Sequence, residues 1–217
     1  MPKLFVYRIV TDAGTAPHIS NKYLTLTLCK PGIRKSAKVG DYVLALVALQ
    51  HAHLTGKGED RYYKAAYLFC ITEQTTMLEY ENWCKTHASD KICTANYFNG
   101  NCQYNIYGIH RPGPHNISHK NRDLGGKFSL ISNHYAAWTS YSPHTLTDTE
   151  LDNIGISKEQ VKTATRNFFT INLDKPIQIT TLEKLITDAL PSAEQLCKGK
   201  SCHLGGMTRK TIRKRRK

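Results

Sequence analysis

A chain of 217 residues, 40% hydrophobic and 22% charged, has the make-up of a folded domain and excludes wholesale disorder. No apolar run approaches the ~18 residues of a membrane-spanning helix, and no apolar stretch with a small-residue cleavage site follows Met1, so an intracellular protein with no membrane association is expected. Thirty Lys and Arg against seventeen Asp and Glu give a net charge of +13, a surplus that favours nucleotides or nucleic acid over acidic proteins as partners.

In chain order, residues 4–10 are apolar and β-prone and predict a strand, followed by a turn-rich loop over 11–18. Residues 23–29 alternate apolar residues with Thr and predict a half-buried strand. Pro31 opens a short helical turn that carries Arg34, Lys35 and Lys38 and stops at Gly40-Asp41. The apolar run 42–49 predicts a strand buried on both faces, 51–61 a polar loop, and 62–72 a further strand. Thr76 and Glu79 have capping-box spacing and predict a helix to about residue 87.

Residues 88–121 are polar and rich in Gly, Asn, Pro and His, with a β-prone island at 102–109. An irregular stretch of that length inside a domain points to functional loops. Residues 127–132 predict a short strand, with an aromatic cluster over 135–138. Ser157 and Gln160 then open a helix to about residue 169, and Thr180 and Glu183 one that Pro191 ends. Strands first and helices later predict an α+β fold, with a domain over 1–145, a helical extension over 146–206 and a disordered basic tail over 207–217.

Common catalytic motifs are missing. Gly126-Lys127 lacks the flanking residues of a Walker A loop, and no dinucleotide-binding glycine pattern, zinc-deaminase pattern or nucleophile elbow occurs. No cofactor is therefore expected. The seven cysteines read as reduced thiols. Cys84 and His87 with Cys93 and Cys102, or Cys197 with Cys202 and His203, lack the two close pairs of a structural zinc site, so no metal is expected.

The block from Cys29 to Val43 is the most coherent feature. A strand ends, a Pro-initiated turn presents Lys30, Arg34, Lys35 and Lys38, and a Gly-Asp turn feeds a buried strand. It reads either as a phosphate site, with backbone amides beside Arg34 and Lys35, or as a solvated basic face. His110, Asp123 and Lys127 flank the polar loop and are the candidates for an acid–base group. In the tail, Arg209, Lys210, Arg213, Lys214, Arg215, Arg216 and Lys217 read as a nonspecific phosphate contact, a nuclear-targeting or packaging signal, or a solubilising end.

The Gly40-Asp41 turn, the strand after it and residues 65–72 resemble the PUA-like group, which includes the EVE, ASCH and YTH domains. More specifically, the chain resembles nucleotide modification associated domain 2, a family of viral, phage and bacterial proteins linked with DNA base modification. The resembling pieces are residues 12–17, 29–41, 72–80, 105–107 and 123–132. The pattern departs at 108–110, where His110 stands three residues after Tyr107 instead of directly after it, and at Asn133-His134, where acidic residues are expected.

The resemblance implies a PUA-like small β-barrel with flanking helices that binds a nucleotide or modified nucleobase, free or in nucleic acid, with DNA favoured over RNA. It implies that Asp12 accepts hydrogen bonds from a base edge or sugar, that Lys30, Arg34 and Lys35 hold phosphate, and that Tyr107 or a tryptophan gives a stacking face. Two alternatives stand beside it: a base-modifying enzyme using Asp12, His110, Asp123 and Lys127, and a scaffold tethered to nucleic acid by its tail. The oligomeric state is left open.

Overall fold

The computed structural model describes residues 1–9, 16–20, 22–47, 62–89, 125–138, 142–163 and 168–198. Ten strands fall into two sheets among them. The first sheet has the order β10 (Phe169–Asn172), β1 (Lys3–Ile9), β4 (Tyr42–Val47), β5 (Lys64–Cys70) and β8 (His134–Ala137), with β9 (His144–Thr145) also on β5. Strands β1 and β4 run parallel and the other pairs antiparallel. The second sheet has the order β2 (His18–Ser20), β3 (Tyr23–Leu26), β7 (Phe128–Ser132) and β6 (Glu73–Thr76).

The near-continuous apolar runs of β1, β4 and β5 follow from burial on both faces. On one face, Leu4, Val6, Leu44, Leu46 and Leu68 pack under the C-terminal helices. Those helices are α3 (Asp148–Ile154), α4 (Lys158–Thr163) and α5 (Pro176–Lys198), which contribute Leu151, Ile154, Val161, Leu182, Leu185 and Ile186. On the other face, Phe5, Tyr7, Val43, Ala45, Tyr67 and Phe69 meet Leu24, Leu26 and Leu130 of the second sheet. Helix α1 (Pro31–Ser36) adds Ile33 to this layer. Helix α2 (Tyr80–His87) packs Tyr80, Trp83 and Cys84 around Ile131 and Tyr23 of the second sheet.

The fold is therefore α+β, and among the described residues the expected β-barrel does not close. Strand β1 has only two edges, and β10 and β4 occupy both, so it has none left to join the second sheet. The sheets instead meet at one corner, where β5 runs on into β6 and β7 into β8, and the Thr72 amide donates to the Ile131 carbonyl at 3.0 Å.

Residues 146–191 do not stand apart from the strands before them. Strand β10, absent from the sequence reading, forms an edge of the first sheet, and α5 lies across β8 and β5. Helix α5 also starts earlier than expected and continues through Pro191. A proline removes one helical hydrogen bond, and it does not end the helix here. Thr180 and Glu183 lie within that helix; its entry is made by Gln178, whose side-chain oxygen accepts from the Lys175 amide at 2.8 Å.

Candidate functional site

The block at residues 29–41 is built around an arginine turned inward. Cys29 and Lys30 both take left-handed backbone angles, φ 60° and 43°, and reverse the chain before Pro31. Arg34 is then 0% exposed. Its Nε donates to the Cys29 carbonyl at 2.9 Å, and its Nη1 donates to the Phe128 carbonyl at 3.1 Å and the Met77 sulfur at 3.4 Å.

Gly126 lies flat against this guanidinium: a Cβ there would sit 2.2 Å from the Arg34 Cζ. The Met77 amide donates to the carbonyl of Lys127, whose own backbone is left-handed at φ 63°. Asp41 ties the far end of the block, its two oxygens accepting from the Lys3 and Lys38 amides at 2.8 Å each. Three separated stretches, 29–41, 72–80 and 125–132, thus close on one another through Arg34 and its neighbours.

Of the three cations expected at a phosphate, one is turned away from solvent. Arg34 faces the interior, Lys35 is exposed, and the half-buried Lys30 places its Nζ 4.8 Å from the centre of the Tyr7 ring. Burial pulls the Lys30 pKa below the ordinary lysine value. Helix α1 has six residues, so few backbone amides stack along its axis. Lys127 is exposed beside the Arg34 hub. Asp12, Tyr107, His110, Asp123 and the basic tail from Arg209 to Lys217 lie outside the described residues.

Strands β1 and β4 finish, β5 begins, β8 finishes and β10 begins at one end of the first sheet. Arg8 organises that end from within. Its Nη1 donates to the Val47 carbonyl at 2.7 Å, and its Nη2 donates to the carbonyls of Tyr62 at 3.0 Å and Val161 at 2.7 Å. Burial lowers its pKa to about 10.

The tryptophans offer little free face. Trp83 lies between Tyr80, 5.8 Å away at 8°, and His87, 4.9 Å away at 13°. Trp138 stacks on His144 at 5.0 Å.

A polar row that sequence reasoning missed crosses the other end of the first sheet. Tyr42, Cys70 and His134 are successive cross-strand partners on β4, β5 and β8, and Glu183 reaches them from α5. The Tyr42 hydroxyl donates to Glu183 Oε1, and His134 Nε2 lies 2.6 Å from Glu183 Oε2. Burial and the bond to Glu183 hold the Tyr42 hydroxyl well above the ordinary tyrosine range; burial and the Glu183 charge push the Cys70 thiol up. The four residues are scattered over 142 positions, so no local spacing signals them. Among the described residues, no group of three or more His, Cys, Asp and Glu is placed to hold a metal, and no helix is long and apolar enough to cross a membrane.

The family model of nucleotide modification associated domain 2 matches residues 1–191. The chain belongs to this family. No curated protein and no solved structure matches it. The match extends past the pieces that carry the resemblance and takes in β10 and most of α5. The nucleotide modification associated domain 2 region thus includes both sheets and the helices that cover the first. Its name sets the chain in a nucleotide modification context.

Proposed function

We propose that the protein binds a nucleotide or a modified nucleobase, free or in DNA, at the end of the first sheet where β1 and β4 finish. The observation that carries this reading is Lys30. It is a partly desolvated cation held over the Tyr7 ring by a left-handed turn, and a desolvated ammonium gains more from an anion than one in bulk water. Residues 10–15, which include Asp12, continue directly from the strand that carries Tyr7.

On this reading Lys30 and Lys35 contact phosphate, Arg34 holds the turn that presents Lys30, Asp12 accepts from the base or sugar, and Tyr107 stacks on the base. The two-sheet body is then an opened relative of the PUA-like barrels, and the tail adds phosphate attraction without selectivity.

Titration with nucleotides and with modified-base oligonucleotides tests the proposal. Lys30→Ala is expected to weaken the tightest ligand by about tenfold or more, the loss of one charge-assisted hydrogen bond. Removing residues 207–217 is expected to reduce only the salt-sensitive part of oligonucleotide binding. Binding indifferent to Lys30→Ala, or abolished by loss of the tail alone, would overturn it.

A further inference from the structure

The Glu183–His134 pair has the form of an oriented base. Glu183 accepts on both oxygens, from the Tyr42 hydroxyl and from His134 Nε2, and a carboxylate engaged in this way is ionised and acceptor-only. The proton of the neutral imidazole therefore sits on Nε2, and the lone pair sits on Nδ1. No described residue meets Nδ1.

The side chains of His134 and Glu183 are 34% and 38% exposed, so a substrate has access to the ring. His144 shares the arrangement with a longer contact and a stacked ring, while His87 is held by a carbonyl. His87 Nδ1 faces the Trp83 carbonyl at 3.0 Å, and His144 stacks on Trp138 with Glu150 at 3.3 Å. The backbone of His134 is fixed as well: its amide donates to Ser132 Oγ at 3.0 Å, and that hydroxyl donates to the His134 carbonyl at 2.8 Å.

We infer that His134, oriented by Glu183 and Tyr42, is a proton-accepting site for a substrate hydroxyl or amino group, water included. In the step, the proton of the X–H bond passes to Nδ1 and the electron pair stays on X. The imidazolium so formed is held against the Glu183 carboxylate until Nδ1 returns the proton to solvent or product. The site is separate from the nucleotide-binding reading, since its row lies at the opposite end and on the opposite face of the first sheet from Tyr7 and Lys30.

Diethyl pyrocarbonate probes the site directly. An imidazole nitrogen attacks its carbonyl carbon, giving the N-carbethoxy ring, ethanol and carbon dioxide. Peptide mass mapping at one fixed pH follows the carbethoxylation of each ring. In the full chain, His134 is expected to react faster than His87. Glu183→Gln is expected to slow His134 about two- to fivefold, the influence of one half-exposed carboxylate, and to leave His87 unchanged.

If Glu183→Gln does not fold, Tyr42→Phe removes a competing donor from Glu183 and is expected to speed His134. A His134 that reacts no faster than His87, or is indifferent to both substitutions, would reduce the pair to a strut between α5 and β8. Lys30→Ala leaves His134 reactivity unchanged, so the two readings fail separately.

Discussion

An alanine at position 126 would have to displace the Arg34 guanidinium, which three segments of chain hold in place. Its cost is expected at about 1–3 kcal/mol by urea denaturation, the range of an overpacked core site. Arg34→Met keeps the length and leaves the Cys29 and Phe128 carbonyls without their donor, and a loss of about 2–5 kcal/mol is expected in the same measurement. Composition made Arg34 look like a surface cation because its neighbours Lys35 and Lys38 are indeed exposed. Its inward turn depends on the left-handed angles at Cys29 and Lys30 and on the bare backbone at Gly126. Those are contacts between residues about ninety positions apart, and spacing does not display them.

At the scale of elements, local chemistry was the more legible part. Strands β1, β4 and β5 follow from apolar runs long enough to be buried twice over, and α4 from Ser157 and Gln160, whose reciprocal bonds measure 3.0 and 3.1 Å. The Thr76–Glu79 pair makes the same exchange, one turn ahead of the first residue of α2. Thr147 and Glu150 form a further capping box that opens α3.

Thr147→Ala is expected to cost about 1 kcal/mol, read from the denaturation midpoint. Burial pushes the Glu150 carboxyl up, but the Thr147 amide and hydroxyl together with His144 outweigh it and leave its pKa below the ordinary carboxylate value. A folded-state pKa lowered in this way gives stability that is full above the unfolded value and is lost as pH falls through the folded one. The gap between wild type and Glu150→Gln is therefore expected to narrow as acid is added below about pH 4.3, the unperturbed glutamate value. Strand β10 was hidden because its alternation, Phe169-Thr170-Ile171-Asn172, lasts only four residues, too short to separate from the helical reading before it.

For the whole molecule, the placement of the C-terminal third decides what can be cut away. A chain ending at residue 145 would lose β10 from the edge of β1, and with α3, α4 and α5 it would lose the cover over Leu4, Val6, Leu44 and Leu68. Such a truncation is expected to bind an apolar dye and to lack a cooperative thermal transition, because a sheet face this apolar has no stable exposed form. A sharp transition equal to that of the full chain would show that the strands suffice alone. Order along the chain predicted the α+β class, since it reflects local propensity. It did not predict which late segments return to the first strand, since that pairing is fixed by packing across the molecule.

The pairing of Lys3 with Asn172 has a bearing on how the protein is made. Translation adds roughly 5–20 residues each second, so the opening strand waits roughly 8–35 seconds for its outer neighbour to be synthesised. Through that interval one side of an apolar ribbon has nothing to zip onto, the circumstance in which nascent chains call on chaperones. Long-range closure of this kind also slows refolding from denaturant relative to proteins whose contacts are mostly between near neighbours in the chain.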